Sequence, residues 1–254
     1  MKKLILPILL FLLFIPLFVN AESMKATDYI KKIAGDNGGT TNSIEVIGNT
    51  GLAYDGTADN NLRYVGSSPN NYVLFNDELW RIIGVMNNVE NEDSSNQTKL
   101  KIIRSEHLGK YQWDYGYNWS NGNPPANNNW DESAIMKLFN PGYDNLENNN
   151  SLYWNSQKGN CFYYRGSSVQ CDFTNTGLKD KSKLIISKSK YYLGGSSTNT
   201  VTSQSTSMFY AIERSGNVNA GYNPFWYGNV GLLYASDYGY ATSGDETTSR
   251  DSCI

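Results

Sequence analysis

The chain has 254 residues, of which 24 are acidic and 21 basic, so its net charge at pH 7 is −3. Because this weak acidity comes with no cluster of basic residues, the composition argues against nucleic acid or an anionic lipid surface as the partner. Aromatic residues are abundant, with 19 Tyr, 9 Phe and 6 Trp. They are predicted to supply much of the core of one large domain.

The N-terminus has the three parts of a cleavable secretory signal peptide. Two lysines precede an apolar stretch over residues 4–19, and Val19 and Ala21 stand at the positions that precede a cut before Glu22. An uncleaved membrane anchor is the alternative, but the stretch is shorter than the roughly 20 residues that span a bilayer. We therefore predict that residues 1–21 are a signal peptide. The protein is expected to be secreted or held at the cell surface, without stable membrane insertion after cleavage.

A short helix and a polar linker are predicted for residues 22–43, followed by a single domain over residues 44–254. The apolar spacing over residues 26–34 is typical of a helix, which Gly35 ends. The linker that follows is rich in Gly, Thr, Asn and Ser, so the domain is expected to begin near Ile44.

An antiparallel meander is predicted in the first half of this domain. Asn76-Asp77-Glu78 has the composition of a hairpin turn, and residues 87–98 are predicted to be a polar loop. The predicted strands are residues 62–65, 72–75, 79–85 and 100–104.

Two further helices and one strand are predicted in the second half. The first helix is expected to begin at the capping residue Asp131 and to end before the Asn-Pro-Gly sequence at residues 140–142. The second covers residues 180–193, and a late strand covers residues 230–234. The side chains expected to face inward from the second helix are Leu184, Ile185 and Tyr192.

Three cysteines bear on the fold. Cys161 and Cys171 flank a Gly/Ser turn, and in an exported protein the simplest interpretation is a disulfide that fixes a hairpin. A metal site is the poorer alternative, because the only histidine, His107, is distant in sequence. Cys253 is left unpaired, which implies an intermolecular bond, a free thiol or a partner beyond this sequence. Truncation is the favoured explanation.

The sequence has no recognised catalytic or cofactor motif. His107 follows a predicted strand and is interpreted as exposed, and no G-x-S-x-G elbow, phosphate-binding loop, dinucleotide fingerprint or calcium-loop spacing occurs. No metal site and no cofactor are predicted. Two carboxyls alone can hydrolyse glycosides, and Asp114, Asp131, Glu132 and Asp237 are conceivable members of such a pair. Solvated surface acids are the favoured interpretation.

An aromatic and Asn-rich segment, residues 111–122, is the strongest candidate for ligand binding. Aromatic rings stack on the apolar faces of sugars, while amides and carboxylates bind the hydroxyls. The favoured alternative is that Trp113, Trp119 and Trp130 pack a long loop onto the core. The same two interpretations apply to residues 222–227. The candidate ligand-binding residues are Trp113, Asp114, Asn118, Trp119, Asp237 and Tyr238.

A set of motifs extends over most of the chain. It includes DGTADNNLRYVG at residues 55–66, WRIIG at 80–84, MKLFNPGY at 136–143 and SDYGYA at 236–241. Together with shorter motifs it covers nearly all of residues 52–253. The set resembles an uncharacterised family of signal-bearing surface proteins from low-GC Gram-positive, often gut-dwelling bacteria.

The resemblance implies a fold related to C-type-lectin-like domains, a group that also includes formylglycine-generating-enzyme-like domains. It implies no activity, so no catalytic residue is carried over. Members of the family continue past the position of Cys253 with another cysteine, a Trp-Thr-Leu-Thr-Pro segment and a final strand. The C-terminal part of the domain is therefore expected to be missing here. A copper-dependent oxidase is disfavoured, and calcium dependence is not predicted because the Glu-Pro-Asn and Trp-Asn-Asp signatures are absent.

The sequence thus predicts an α+β domain with a largely antiparallel, C-type-lectin-like sheet, two or three helices and long loops. The leading functional prediction is a secreted or cell-surface, non-catalytic module that binds an extracellular ligand, such as a glycan or a host or envelope component. One alternative is a carboxylate-based hydrolase, and the other is an envelope protein crosslinked through Cys253. The fold alone does not choose among these functions.

Overall fold

The computed structural model describes residues 23–40, 44–111, 113, 129–144, 151–162, 168–195, 205–218 and 221–242. The predicted signal peptide, its cut between Ala21 and Glu22, and Cys253, which the sequence predicts to be unpaired, lie outside the described residues. Within the described part of the chain, no helix combines the length and the apolar character needed to cross a membrane.

The described residues form an α+β fold with antiparallel sheets, which confirms the predicted class. They contain five α-helices, where the sequence predicted two or three. The strands are β1 Leu52–Tyr54, β2 Leu62–Tyr64, β3 Tyr72–Phe75, β4 Glu78–Glu90, β5 Asn96–Arg104, β6 Lys158–Phe162, β7 Ser168–Asp172, β8 Ser189–Tyr192 and β9 Phe225–Gly228. The helices are α1 Ala26–Asp36, α2 Ala134–Phe139, α3 Asp180–Lys183, α4 Thr206–Arg214 and α5 Ala235–Thr242, and a 3₁₀ turn at Trp130–Glu132 precedes α2.

The main sheet has five strands in the order β1-β2-β4-β3, with β5 also paired to β4. Asn76 and Asp77 form the turn between β3 and β4, with φ angles of 58° and 60°. A two-residue hairpin turn needs this left-handed conformation, and Asn and Asp adopt it more readily than most residues. The predicted turn is therefore confirmed, although Glu78 already belongs to β4.

The polar loop predicted at residues 87–98 is too long. β4 continues to Glu90 and β5 begins at Asn96, so only residues 91–95 connect the two strands. The polar side chains here serve the fold. The side-chain amide of Asn87 donates hydrogen bonds to the carbonyls of Asp59 and Asn60, at 3.2 and 2.8 Å.

The core consists of two hydrophobic clusters. The first includes residues of α1 and the main sheet: Ile30, Ala34, Ile47, Leu52, Leu62, Tyr64, Ile82 and Val85. The second consists of Leu138, Leu152, Tyr153, Cys161, Phe173 and Leu178. Each fully buried aliphatic side chain contributes roughly 1.5–3 kcal/mol through its removal from water. Cys161 and Cys171 form the predicted disulfide pair across β6 and β7, with Cα atoms 5.8 Å apart.

The helix predicted over residues 180–193 is wrong beyond its first turn. α3 ends at Lys183, and the residues that follow it, Leu184 and Ile185, are 86% and 74% exposed rather than inward-facing. Tyr192 belongs to β8, which pairs with β9. A pairing with a distant strand has overridden the local helical spacing.

Two other local predictions are also wrong. Residues 230–234 do not form a strand, since the late strand β9 lies earlier, at Phe225–Gly228. Asp131 does not cap α2. Ser133 does, because its hydroxyl accepts a hydrogen bond from the backbone N–H of Met136 at 3.2 Å. This bond satisfies one of the free N–H groups in the first turn of the helix.

Candidate ligand-binding site

Five aromatic residues that are far apart in sequence form one aromatic cluster: Trp113, Trp130, Tyr191, Trp226 and Tyr234. The ring centroid of Trp130 lies 5.8 Å from that of Trp113, 6.3 Å from that of Tyr191 and 6.0 Å from that of Trp226. Tyr234 stacks on Tyr191 with centroids 4.5 Å apart and an interplanar angle of 16°. Rings at these separations contact one another. The aromatic cluster is therefore a continuous surface of rings.

The hairpin of β8 and β9 positions two of these rings. Tyr191 pairs directly with Trp226, so both side chains project from the same face of the hairpin. Glycines leave room for them. A Cβ at Gly228 would overlap the Trp226 ring, and a Cβ at Gly231 would lie 2.6 Å from the Tyr191 ring. The rings can lie over the backbone only because neither position carries a side chain.

Two polar atoms on the consecutive residues Trp130 and Asp131 lack hydrogen-bond partners, as does Nε of Arg214, whose guanidinium carbon lies 5.4 Å from the ring centroid of Tyr234. The indole N–H of Trp130 and the Oδ1 atom of Asp131 are both buried without one. The other carboxylate oxygen of Asp131, Oδ2, accepts a hydrogen bond from the side-chain amide of Asn223 at 2.8 Å. A buried polar group left unpaired costs about 1–3 kcal/mol. Such groups are uncommon in native proteins and need a specific explanation.

The four other rings of the cluster differ from Trp130 in exposure. Trp130 is 4% exposed, whereas Trp113, Tyr191, Trp226 and Tyr234 are half-buried. These four residues are therefore partly accessible to solvent, and the buried Trp130 indole packs against three of them.

A buried charge network is formed by Asp55, Arg63, Lys101 and Asp237. The Arg63 guanidinium donates to Asp55 through Nε and to Asp237 through Nη1, each at 2.8 Å. Lys101 donates to the second oxygen of Asp237. The side chains of Asp55, Arg63 and Asp237 are at most 3% exposed, so this network is closed to solvent except at Lys101, which is 25% exposed.

Both carboxylate oxygens of Asp237 accept hydrogen bonds from groups of the protein itself. Oδ2 also accepts a hydrogen bond from the backbone N–H of Tyr234 at 2.9 Å. Burial would raise the pKa of Asp237, but the charges of Lys101 and Arg63 outweigh burial and lower this pKa to about 2. Asp237 is therefore ionised at neutral pH and held by three protein donors.

A second buried acid lies on α4. The carboxylate of Glu213 accepts hydrogen bonds from the backbone N–H of Ser236 at 2.9 Å and from its hydroxyl at 2.6 Å. Burial raises the pKa of Glu213, against these two hydrogen bonds. Because Ser236 lies in the first turn of α5, Glu213 satisfies a free N–H group at the start of that helix. Its burial thus has a structural explanation.

The predicted ligand-binding residues lie in different places. Trp113 belongs to the aromatic cluster, together with Trp226 from the second aromatic segment of the sequence. Asp237 belongs to the buried charge network, and Tyr238, on α5, is 51% exposed. The other three candidates, Asp114, Asn118 and Trp119, lie outside the described residues.

Sequence reasoning missed Tyr191 and Tyr234 as members of the cluster. Tyr191 was assigned to a helix and Tyr234 to a strand, and neither stood out in a chain with 19 tyrosines. The glycines at positions 228 and 231 were the available signal, since a Gly close to aromatic residues often marks a close approach to the backbone.

No family model, curated protein or solved structure matches this chain. The resemblance to a C-type-lectin-like family therefore stays a prediction. Among the described residues, no group of three or more His, Cys, Asp or Glu side chains is placed to hold a metal ion. The geometry of the aromatic cluster is thus the basis for any functional conclusion.

Proposed function

We propose that this protein is a secreted or cell-surface module that binds a glycan without catalysing a reaction on it. The observation that carries the proposal is the aromatic cluster, in which the half-buried rings of Trp113, Tyr191 and Trp226 lie around Trp130. Sugar rings have apolar faces that stack on aromatic side chains and hydroxyls that need polar partners. Asp131, which follows Trp130 in the chain, and the exposed Asn223, which donates to Asp131, carry carboxylate and amide groups of the kind that bind hydroxyls.

The packing of the rings favours a sugar over a quaternary ammonium ligand. An aromatic cage holds a cation between rings, so the rings must stand apart to surround it. In the aromatic cluster, the rings of Trp130 and Trp226 meet edge to face with centroids 6.0 Å apart. Rings in contact leave no space between them, so they offer their outer surface, which suits stacking.

The charge network removes Asp237 from the candidate general acids of the carboxylate-based hydrolase. A general acid for glycoside cleavage must be protonated at the working pH and reach the substrate. Asp237 has a pKa lowered to about 2, after burial is outweighed by Lys101 and Arg63, and its side chain is 2% exposed. It therefore meets neither requirement.

Two sequence features support an extracellular site of action. The predicted signal peptide at residues 1–21 would export the chain. The pairing of Cys161 with Cys171 agrees with this, because disulfides persist mainly in oxidising compartments outside the cytoplasm. The resemblance to C-type-lectin-like domains also agrees with glycan binding, although that fold has many functions.

The test is binding of the purified protein to a broad glycan array, with two alanine variants on adjacent residues of β9. Trp226→Ala removes a ring of the aromatic cluster. Phe225→Ala removes a ring, 39% exposed, from the opposite face of the same hairpin. We expect Trp226→Ala to weaken binding at least ten-fold and Phe225→Ala to leave it unchanged. No glycan bound by the folded wild-type protein, or equal losses in the two variants, would refute the proposal.

A further inference from the structure

We infer that the bound glycan contains N-acetylated sugars, and that Trp130 and Asp131 recognise their acetamido group. This inference rests on the glycan-binding function proposed above and specifies the class of sugar. Its basis is the pair of unpartnered atoms, one donor and one acceptor, on consecutive residues of the 3₁₀ turn Trp130–Glu132.

An acetamido group supplies the hydrogen-bond partners that the Trp130 N–H and the Asp131 oxygen do not have within the protein. Its carbonyl oxygen accepts a hydrogen bond, which the indole N–H of Trp130 is free to donate. Its N–H donates one, which Oδ1 of Asp131 is free to accept. Its methyl group is apolar and packs against aromatic rings, which Trp113, Tyr191 and Trp226 supply around Trp130. A sugar hydroxyl at the same position can also donate one hydrogen bond and accept another, but it offers no methyl group to the rings.

Charge narrows the class of sugar further, to uncharged ones. The unpaired oxygen of Asp131 belongs to a carboxylate, so a sialic or uronic acid would bring a second negative charge to it. Two cations reach the cluster at Tyr234: Nζ of Lys101 lies 4.4 Å and the guanidinium carbon of Arg214 lies 5.4 Å from its ring centroid. Each is ion-paired, Lys101 with Asp237 and Arg214 with Glu213, so both charges already have partners inside the protein. An uncharged, N-acetylated sugar satisfies both unpartnered atoms without adding a repulsive charge.

Access to the two atoms requires a side chain to move. Both atoms are closed to water in the structure, and Trp130 is 4% exposed. The rings of Trp113 and Trp226 contact Trp130 and belong to half-buried residues, so a movement of either ring is the proposed route to the two atoms. Binding should therefore change the environment of the indoles, which gives a change in tryptophan fluorescence that accompanies the affinity measurement.

The decisive measurement compares β-1,4-linked tetrasaccharides that differ only in the group at C2. Chitotetraose carries an acetamido group, cellotetraose a hydroxyl and the fully de-acetylated tetramer an ammonium. By calorimetry we expect chitotetraose to bind at least ten-fold more tightly than either of the others, and to change the tryptophan fluorescence. Equal affinity for chitotetraose and cellotetraose would overturn the acetamido inference but leave glycan binding in place. Tightest binding of the de-acetylated tetramer would show that Asp131 attracts a cation, and would also overturn the inference.

Three variants test whether Trp130 and Asp131 make the proposed contacts with the acetamido group. Trp130→Phe keeps an aromatic ring and removes the N–H, and Asp131→Ala removes the acceptor. Glu132→Ala is the matched control, because it removes the next, exposed acid of the same turn. We expect the first two variants each to lose about ten-fold in affinity for chitotetraose and the control to lose none. Unchanged affinity in both Trp130→Phe and Asp131→Ala would overturn the assignment. If no tetrasaccharide and no glycan on the array binds to the folded wild-type protein, both the inference and the proposed function fail.

Discussion

The buried charge network and the aromatic cluster are neighbours, but they differ in whether their buried polar groups have hydrogen-bond partners. In the charge network, Asp237 has two cationic partners and a backbone donor for its two oxygens. In the aromatic cluster, the N–H of Trp130 has no partner at all, and beside it the Oδ1 atom of Asp131 has none either. The comparison supports the proposal that the first region maintains the fold and the second binds a ligand.

Tyr234 connects the two regions. Its ring stacks on Tyr191 of the aromatic cluster, and the Nζ atom of Lys101 lies 4.4 Å from its centroid. Its backbone N–H donates to Asp237. The charge network therefore holds the backbone of Tyr234, whose ring belongs to the aromatic cluster. Substitutions in the network should for this reason also disturb the cluster.

The largest effect is expected from Arg63→Ala. This change leaves Asp55 and Asp237 buried without the cation they share, and removing one partner of a buried ion pair costs about 3–5 kcal/mol. The free energy of unfolding should fall by that amount in denaturant titrations. The matched control is Arg81→Ala, which removes hydrogen bonds to Asn71 and the Tyr72 hydroxyl and a contact with the Tyr72 ring but no buried ion pair, so it should cost less, about 1–2 kcal/mol. Similar losses in the two variants would mean that the charge network has no special role in stability.

The second prediction concerns acid. The folded state lowers the pKa of Asp237 to about 2, because the charges of Lys101 and Arg63 outweigh burial. The resulting stability of about 2 kcal/mol is present above pH 4 and is lost as the pH falls from about 4 to about 2. Unfolding free energies across this range should fall in the wild type.

The matched variant is Asp237→Asn, which is less stable at neutral pH but should lose less stability over the same acid range. Asp77 also has a pKa lowered to about 2, by hydrogen bonds from Lys179 and Lys181, and it remains in both proteins. The difference between the two proteins therefore isolates Asp237. Parallel pH profiles would show that Asp237 is not the carboxyl responsible.

The third prediction tests the support of the aromatic cluster. In Gly228→Ala the new Cβ overlaps the Trp226 ring, so this half-buried ring must move outward. The cost should be about 1.5 kcal/mol, within the range found for overpacked sites, and glycan affinity should fall. Gly195→Ala is the control, since its Cβ would enter open space. If Gly228→Ala keeps the full glycan affinity of the wild type, the Trp226 ring does not take part in glycan binding.

The sequence predicted the main sheet better than the candidate site, for a physical reason. The β3–β4 hairpin depends on neighbouring residues: Asn76 and Asp77 tolerate the left-handed turn that joins two apolar segments. β8 instead depends on pairing with β9, a distant segment, so the local pattern around Tyr191 indicated a helix. The longest-range contacts were the least predictable ones.

The candidate site shows the same limit. Trp113 was identified because the composition of its segment suits sugar binding, and the structure places it in the aromatic cluster. Asp237 was identified as a carboxylate that could belong to a hydrolytic pair or bind a ligand. Nothing in the sequence shows that Arg63 of β2 and Lys101 of β5 approach that carboxylate and occupy it. The type of a residue shows which interactions its side chain can make. Only the packing of the fold determines whether that side chain is already bound to other groups of the protein.

The smallest effect compares two buried tyrosine hydroxyls. The hydroxyl of Tyr210 donates to Asp59 and accepts from the Asn61 amide, whereas that of Tyr153, in the second hydrophobic cluster, has no partner. Tyr210→Phe should therefore lose about 1 kcal/mol of unfolding free energy. Tyr153→Phe removes an unsatisfied group without changing the ring, so it should be neutral or stabilising by up to about 1 kcal/mol. Equal destabilisation by the two changes would mean that the Tyr153 hydroxyl has a partner, such as a buried water, and that an unpartnered atom in this protein does not by itself indicate a ligand.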